Sequence, residues 1–396
     1  MRILFLAATL AFAACATAPA RPTSAQIDAF ALRAMDGSGA KGLAIAVIDD
    51  GRVTHIGAYG LRNAKGEPLT TRTVMYGASL TKSVFAYTVM QLVDRGQLDL
   101  DRPIADLLPR PLPDYGDDAD VVDDYADYGP LAGDPRWRAI TPRMALDHST
   151  GFANYFFLEN DQKARIHFDP GERFAYSGDG IILLQFGLEK GLGLNVGDLT
   201  DKTFSRLGMP NTSLLWRPAF ASNLADGWTI DGDVVRHDER SHVRASGSMD
   251  TTIADFARFA AAFVRGDGLS AASRAAMVRP QVHITSSQQF PTLWPQLQLP
   301  PDQQRPDLAS GLGFIVFDGP QGLGFYKGGH NDSTGNTWVC IERGHRCVVI
   351  LSNDVRAERA FPAIARFVLG ETGAPWKWEY GDMPFWRTTA QSPAQN

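Results

Sequence analysis

Apolar positions near both ends of the chain follow the patterns of β-strands. Residues 43–48 form an unbroken apolar run, as in a strand buried on both faces, and Asp50-Gly51 predicts a tight turn into a return strand at 53–59. Late in the chain, short β-rich runs separated by turn residues predict further strands. These runs are residues 312–317, 323–327, 337–341 and 346–351.

Apolar residues at helical spacing predict helices beside and between these strands. The helical stretches are residues 24–35, 75–93, 254–264 and 357–369. Because strands lie at both ends and mostly helix and loop fill the middle, the pattern predicts an α+β fold. In this fold one antiparallel sheet is assembled from both ends of the chain, and a helical lobe is inserted between them.

Composition narrows the class of protein. The chain has 396 residues, of which 44% are hydrophobic and 21% charged, as expected for a globular protein with a large core. Its 38 basic and 44 acidic residues give a net charge of −6, so no basic surface of the kind that binds nucleic acid is expected. Three cysteines exclude a zinc–cysteine domain, and without a metal-hydrolase motif we expect neither a metal nor a cofactor.

The first residues have the layout of an export signal. Met1-Arg2 is followed by an apolar run at 3–14 that is too short to span a bilayer. Residues 12–15 resemble a bacterial lipobox, in which Cys15 becomes the lipidated first residue. We therefore expect a signal peptide at 1–14 and an exported, periplasmic protein whose membrane contact is a lipid on Cys15. The alternative is ordinary cleavage nearby and a soluble secreted product.

The other two cysteines, Cys340 and Cys347, lie in consecutive predicted strands. A hairpin centred between Arg343 and Gly344 would set them opposite each other, in the closer type of antiparallel pair. Two interpretations are open at this point: a cross-strand disulfide, or two free buried thiols.

A candidate nucleophile is Ser79, in the segment Ser79-Leu80-Thr81-Lys82. Three residues along a helix the two polar side chains share a face, and an amine of lowered pKa can accept the proton of a hydroxyl. The spacing alone is weak evidence, because Ser38 and Lys41 repeat it in a glycine-rich loop that cannot orient a nucleophile.

Two further segments carry candidate chemistry. Tyr176 begins Tyr176-Ser177-Gly178, and a lysine cation beside its phenol would favour the phenolate, a plausible general base. Lys327 begins Lys327-Gly328-Gly329-His330 at the end of a predicted strand, where the glycines would let a substrate lie against the backbone. Taken singly, each segment also fits a purely structural role. Tyr176 could cap a loop–helix junction, and the segment after Lys327 could be a glycine-rich turn.

Together and in this order, the three segments resemble the active-site motifs of one serine hydrolase family. It contains class C β-lactamases, D-Ala-D-Ala carboxypeptidases and EstB-type esterases. Further matching segments bring the resemblance to roughly residues 24–370; they are residues 146–152, 169–174, 207–209, 245–249 and 255–259. The resemblance implies an antiparallel sheet flanked by terminal helices, an all-helical lobe, and an active site in the crevice between them.

The resemblance also implies a mechanism through an acyl-enzyme. Ser79 would attack a carbonyl or lactam carbon, Lys82 and Tyr176 would share the role of base, and Lys327 would keep the pKa of Tyr176 low and attract an anionic substrate. The backbone N–H groups of Ser79 and His330 would form the oxyanion hole. Histidines 148 and 330 are interpreted as structural or rim residues and not as bases of a triad.

Two departures from the family pattern bear on the substrate-binding positions Gly178, Gly328 and Gly329. Gly178 replaces an Asn that usually binds the substrate amide, and Gly328 replaces a Thr of the β-lactamases. Both put efficient β-lactam hydrolysis in doubt, whereas Lys327 favours an anionic substrate. The leading hypothesis is a periplasmic serine hydrolase that acts on an amide, lactam or ester, such as a D-amino-acid peptide or a β-lactam. The alternatives are a small-acyl carboxylesterase and a non-catalytic penicillin or peptidoglycan sensor.

The remaining expectations concern organisation. The hydrolase domain is predicted at 22–375, followed by an aromatic and polar tail at 376–396. An acidic stretch at 114–134 is interpreted as a solvated rim loop, with calcium binding as the less favoured alternative. We expect a monomer that binds a small molecule or peptide and no nucleic acid.

Overall fold

The computed structural model describes residues 21–290 and 297–381. The predicted signal peptide at 1–14, Cys15 and most of the predicted tail lie outside the described residues. Within them, no helix has both the length and the apolar character needed to span a membrane.

Strands and helices follow the predicted distribution along the chain. The strands are β1 (Gly42–Asp49), β2 (Arg52–Gly60), β3 (Met75–Tyr76), β4 (Gly227–Trp228), β5 (Val234–Val235), β6 (Asp250–Thr251), β7 (Val282–His283), β8 (Leu308–Ser310), β9 (Ile315–Gly319), β10 (Gly322–Asn331), β11 (Thr334–Ile341) and β12 (Arg346–Ser352). The α-helices are α1 (Ser24–Ser38), α2 (Leu80–Asp94), α3 (Ala119–Asp124), α4 (Pro142–Leu146), α5 (Gly178–Phe186), α6 (Val196–Arg206), α7 (Ile253–Arg265), α8 (Ala271–Met277), α9 (Phe361–Leu369) and α10 (Trp376–Tyr380). Short 3-10 turns connect them, and a π-helical turn, Gly187–Gly191, extends α5.

One antiparallel sheet of eight strands, in the order β2-β1-β12-β11-β10-β9-β8-β7, organises the molecule. The two N-terminal strands pair with the last strand, β12, so both ends of the chain build the sheet as predicted. Strand β1 is buried on both faces: Ala44, Ala46 and Ile48 enter one core, while Leu43 and Ile45 enter the other. Helices α2 and α7 cover the first face, and the terminal helices α1 and α9 cover the second.

Residues between α2 and α7 form the helical lobe. Its centre is aromatic: the rings of Tyr115, Tyr125 and Tyr128 pack around Phe186 of α5, with centroid separations of 4.9 to 5.2 Å. The α+β architecture with an inserted helical lobe is therefore confirmed.

Three predicted elements begin later in the chain than expected. The helix predicted from residue 75 begins at Leu80, because residues 75–76 pair with β6 and the backbone turns sharply at Ala78 (φ +47°). The strand predicted at 312–317 begins at Ile315, because Gly313 (φ +81°) turns the chain between β8 and β9. The helix predicted at 357–369 begins as a 3-10 turn and becomes α9 at Phe361, with Pro362 in the first turn, where a missing N–H costs nothing.

The hairpin between β11 and β12 has the predicted register. Cys340 pairs with Cys347 across the two strands, and the two residues are joined in a disulfide. Their Cα atoms are 4.1 Å apart, so the two cysteines form the closely spaced type of antiparallel pair, as predicted. Of the two open interpretations, the structure therefore has the disulfide.

Candidate active site

Ser79 lies at the sharp turn between β3 and α2. The residue before it, Ala78, has a left-handed backbone (φ +47°) that is unfavourable for an L-residue with a side chain. The turn is held because Gly77 N donates a hydrogen bond to Met249 O at 2.8 Å. The serine is thereby placed at the start of α2, where it lines a cavity of about 240 Å³.

Lys82 lies one turn further along α2 and is fully buried. Its Nζ donates hydrogen bonds to Ser79 Oγ at 3.0 Å and to the carbonyl oxygen of Ser246 at 2.6 Å. Burial, assisted by the nearby cation of Lys327, lowers the pKa of Lys82 well below its usual value. The amine beside Ser79 therefore loses its proton more easily than that of an ordinary lysine, and its neutral form can accept a proton.

Tyr176 and Lys327 complete the polar cluster. Lys327 projects from β10, and its Nζ donates to Tyr176 Oη at 3.1 Å and to Gly328 O at 2.9 Å. The Nζ atoms of Lys327 and Lys82 each lie 4.9 Å from the centre of the Tyr176 ring. Four side chains from three widely separated segments, including Ser79, therefore meet in one crevice between the sheet and the helical lobe.

The protonation of Tyr176 differs from the expectation. Burial raises the pKa of Tyr176 well above its usual value, and its hydrogen bond with Ser79 only partly opposes this shift. Burial also lowers the pKa of Lys327 to about 8, with the charge of Glu379 acting in the opposite direction. The low-pKa phenol predicted from the sequence is thus wrong for the free protein: the tyrosine carries its proton, and Lys82 is the better proton acceptor.

Strand β10 passes close to the first turn of α2. A Cβ atom on Gly329 would lie only 2.8 Å from Leu80 N and 2.9 Å from Ser79 N, so no other residue fits there without a shift of the backbone. This close approach places the next residue, His330, beside Ser79 in the lining of the same cavity. Two backbone N–H groups predicted to form an oxyanion hole therefore belong to segments that are in contact.

The two histidines near the site are engaged in supporting contacts. His148 stacks on Tyr176, with ring centres 4.4 Å apart, and its Nδ1 accepts a hydrogen bond from Ser177 N at 3.2 Å. Burial and the two lysines lower the pKa of His148, so it packs as a neutral ring. The imidazole of His330 lies 3.4 Å from the buried carboxylate of Glu358, a contact that fits a structural role.

Gly178, to which the sequence assigned a substrate-binding role, is not among the residues that line the Ser79 cavity. A Cβ atom at this position would lie 2.4 Å from Cε1 of Tyr155 and 2.9 Å from the carbonyl oxygen of Asn154. Among the described residues, Asn154 and Tyr155 line the Ser79 cavity in place of Gly178. Tyr155 Oη also donates to Ser246 Oγ at 3.3 Å, which connects it to the residue that holds Lys82.

Gly328 lines the cavity, as predicted, but for an unexpected reason. A Cβ atom there would lie 2.2 Å from Oε1 of Glu379, so a side chain at 328 and the Glu379 carboxylate exclude each other. Glu379 belongs to α10, which begins at the residue assigned from the sequence to a C-terminal tail. The carboxylate is buried and faces the same cavity as Ser79.

A larger cavity of about 660 Å³ adjoins the first. The two share the residues Tyr76, Tyr155, Ser246 and Gly247, so the larger space opens beside Ser79 toward the helical lobe. Asp179 lines it, and burial raises the pKa of this carboxyl to about 8. The arrangement provides room for a substrate group of substantial size next to the nucleophile.

Two other sequence features lie away from the cluster. Ser38 Oγ donates to Met35 O at 3.2 Å and Lys41 is exposed, so the second Ser-x-x-Lys segment forms no comparable pair. The potential ligand atoms of Asp123 and Asp124, in the acidic stretch, and of His242 lie within 4.8 Å of one another, and Asp123 and His242 line the larger cavity. They are partly or fully exposed, as solvated rim residues are.

Several residues of the site were not assigned a role from the sequence. They are Asn154, Tyr155, Asp179, Ser246, Gln289, Phe290 and Glu379. Tyr155 and Ser246 could have been suspected, because they lie in or directly after segments that resemble the family. Glu379 carried a weaker signal, as a lone acidic residue in the aromatic run Trp376-Lys377-Trp378-Glu379-Tyr380.

Comparison with known proteins identifies the family. The family model described as Beta-lactamase matches residues 27–371. Penicillin-binding protein 4 of Amycolatopsis lactamdurans is 30% identical over 270 residues, which are 61% of this chain and 65% of that protein, so the match spans less than two thirds of the relative.

Solved structures share the fold. The D-alanine carboxypeptidase AmpC of Burkholderia cenocepacia has a TM-score of 0.67 at 17% identity, covering 88% of this chain and 99% of that one. EstCE1, a hydrolase with promiscuous acyltransferase activity, has a TM-score of 0.68 at 18% identity, covering 87% and 97%. These identities support the fold alone, but the family model extends over most of the sequence. The chain therefore belongs to the beta-lactamase family of serine hydrolases.

Proposed function

We propose that this protein is a hydrolase that forms an acyl-enzyme on Ser79 from an ester, amide or lactam. The observation that carries the proposal is the contact of 3.0 Å between Ser79 Oγ and the buried, low-pKa amine of Lys82. A nucleophile and a base within hydrogen-bond distance are the minimum that covalent catalysis of this type requires. Tyr176, which is hydrogen-bonded to both Ser79 and Lys327, is a second polar group beside the same hydroxyl and is available to the leaving group.

The acylation step then follows from the geometry. As Ser79 Oγ bonds to the carbonyl carbon, its proton passes to the neutral amine of Lys82. The backbone N–H groups of Ser79 and His330 stabilise the negative charge on the carbonyl oxygen, a contribution of about 3 kcal/mol for each donor. When the intermediate collapses, the bond to the leaving group breaks, and that group takes up the proton that Lys82 received from Ser79, passed on through the hydroxyl of Tyr176, so that Lys82 is neutral again.

Deacylation reverses these transfers with water in place of the alcohol of Ser79. Water attacks the acyl carbon, one of its protons moves to the basic cluster, and the bond to Ser79 Oγ breaks. The serine regains its proton and the acid product leaves. Lys327 keeps Tyr176 oriented during both steps through the hydrogen bond between Nζ and Oη.

Ser79→Ala tests the proposal against a matched control. Labelling by a fluorophosphonate and by a fluorescent penicillin should disappear in Ser79→Ala and persist in Ser38→Ala, which alters the second Ser-x-x-Lys segment. Both variants should melt near the wild-type temperature. Covalent labelling that survives Ser79→Ala would refute the proposed nucleophile.

Rates with three substrates then separate the reaction types. Nitrocefin, a D-Ala-D-Ala peptide and p-nitrophenyl acetate represent the lactam, peptide and ester classes. The absence of side chains at Gly178 and Gly328 favours the ester over the lactam. Labelling of Ser79 without turnover of any of the three would favour the non-catalytic penicillin sensor.

We also propose that the protein is exported to a periplasm as a monomer and is anchored there by a lipid on Cys15. The apolar run at 3–14 supports export, and the disulfide between Cys340 and Cys347 is typical of proteins in oxidising compartments. Mass spectrometry of the mature N-terminus tests the anchor: an unmodified terminus that begins after Cys15 would contradict it. Recovery in the soluble cytoplasmic fraction would contradict export.

A further inference from the structure

The carboxylate of Glu379 is part of the wall of the Ser79 cavity. It is contributed by α10, and only 4% of the residue is exposed. The short helix is fixed to the loop before residue 291, because Gln289 N donates to Trp378 O at 2.8 Å and Trp378 Nε1 donates to Ser286 Oγ at 3.2 Å. The position of the carboxylate is therefore set by a packed segment of the protein.

Two side chains hold the carboxylate in one orientation. Tyr326 Oη donates a hydrogen bond to Oε2 of Glu379 at 2.5 Å. The amide of Gln289, in the orientation that turns its nitrogen toward the carboxylate, donates to the same oxygen at 2.7 Å. Both partners present a hydrogen-bond donor to the carboxylate, so it is held by two contacts on the same oxygen.

The other oxygen, Oε1, occupies the space beside the backbone of β10. It lies 2.2 Å from the position that a Cβ atom would take on Gly328. Any larger residue at 328 would displace it, so the glycine and the carboxylate form a matched pair. Glu379 lines the same cavity as Ser79 and Lys327.

The charge of Glu379 changes what Lys327 can bind. Lys327 is buried, its Nζ is already engaged by Tyr176 and Gly328, and the negative charge of Glu379 acts on it through the protein. A substrate carboxylate that approached Lys327 would meet a fixed like charge in a poorly solvated site, where repulsion is little screened.

We infer, building on the acyl-enzyme function proposed above, that Glu379 is a specificity-determining residue that selects substrates uncharged near Lys327. Its carboxylate takes the place that a substrate carboxylate would need, so the preferred substrates are neutral esters or amides. This reverses the expectation from the sequence alone, in which Lys327 attracts an anion.

Matched pairs of esters provide the test. One pair is phenyl butyrate and 3-carboxyphenyl butyrate, with the charge on the leaving group. The other is p-nitrophenyl butyrate and the mono-p-nitrophenyl ester of glutaric acid, with the charge on the acyl group. For each pair the measured quantity is the ratio of kcat/KM for the neutral ester to kcat/KM for the anionic ester.

We expect the wild type to prefer the neutral ester at least tenfold in one or both pairs. Glu379→Gln keeps the shape and removes the charge, so this preference should fall at least tenfold. Glu379→Asp keeps the charge and should retain a preference for the neutral ester. Glu371→Gln, which removes an exposed carboxylate, should leave the ratio at its wild-type value.

A ratio that Glu379→Gln leaves unchanged in both pairs would overturn the inference. Fluorophosphonate labelling of Ser79, measured on the same samples, separates this failure from failure of the proposed function. Labelled protein with an unchanged ratio refutes only the role of Glu379. Protein in which the fluorophosphonate does not label Ser79 refutes the acyl-enzyme itself. Melting temperatures of the variants show that each ratio belongs to folded protein.

Discussion

The ring of Tyr155 fills the space that Gly178 leaves open. A Cβ atom on Gly178 would lie 2.4 Å from Tyr155 Cε1, far inside contact distance. The ring also stacks on Phe157, with centroids 4.9 Å apart and planes inclined by 9°. One wall of the candidate active site is therefore built from an aromatic side chain where the resemblance led us to look for a short polar one.

Gly178→Asn should consequently destabilise the protein. The new side chain must displace Tyr155 or the backbone at Asn154, and overpacking of this kind typically costs about 1 to 3 kcal/mol. Thermal denaturation should show a lowered melting temperature. The double variant Gly178→Asn with Tyr155→Ala removes the obstacle and should recover part of the loss. Equal melting temperatures for Gly178→Asn and the wild type would contradict the overlap.

Lys82→Met should separate catalysis from folding. General-base catalysis typically contributes a factor of about 10² to 10⁴, so ester hydrolysis should fall by at least about 100-fold. The thermal stability should change little, because an apolar side chain of similar length replaces a buried amine. Lys41→Met, in the second Ser-x-x-Lys segment, is the control and should keep wild-type rates. Retention of activity by Lys82→Met would exclude the amine as the base.

The rate should depend on pH through the two lysines. Lys82 accepts a proton only when neutral, and burial lowers its pKa, so kcat/KM should rise with pH through that lowered value and then level off. Lys327 has a pKa of about 8, because burial lowers it and Glu379 opposes the shift. Above about pH 8 its cation is lost, and activity should decline.

Lys327→Met provides the check on this assignment. Its pH profile should keep the rise that reports Lys82 and lose the decline near pH 8, at a lower overall rate. A decline that persists in Lys327→Met would belong to another group.

Asp179→Asn should change how stability depends on pH. Burial raises the pKa of Asp179 from 3.8 to about 8, so the folded protein keeps a proton that the unfolded chain releases. The resulting stabilisation is complete below about pH 4 and is lost as pH rises toward 8, by up to about 1.4 kcal/mol per pH unit.

An asparagine at 179 cannot ionise, yet its carbonyl oxygen can still accept the hydrogen bond that Phe156 N donates to Asp179 at 2.6 Å. Urea denaturation at several pH values between 4 and 8 should therefore show a shallower slope for Asp179→Asn. Asp147, with a pKa raised by burial to about 7, leaves a slope in both proteins. Identical slopes would show that Asp179 is ionised in the folded state.

The sequence predicted the features that depend on periodicity and on local spacing. Strand β1, the hairpin register that pairs Cys340 with Cys347, and the helical relation of Ser79 to Lys82 all follow from residues close together in the chain. Such features are fixed by backbone geometry that repeats at known intervals. The resemblance then supplied the long-range association of Tyr176 and Lys327 with that pair, which spacing alone does not contain.

Features set by burial and by distant contacts could not be predicted. The protonated state of Tyr176 results from complete burial, which sequence does not quantify. The obstruction of Gly178 by Tyr155 and of Gly328 by Glu379 depends on how loops and a C-terminal helix pack against the site. The sequence shows that positions 178 and 328 are glycines, but it does not show that Tyr155 and Glu379 occupy the space beside them.

The pairing of β1 with β12 has a consequence for the timing of synthesis. A ribosome that has just added Lys327 has made every reactive residue, yet β12 is still untranslated, so the N-terminal hairpin has no neighbour to join it to the rest of the sheet. Glu379 is added later still. The nascent chain therefore contains the reactive residues before the sheet that brings them together can form. The complete site can assemble only after translation of the domain is nearly finished.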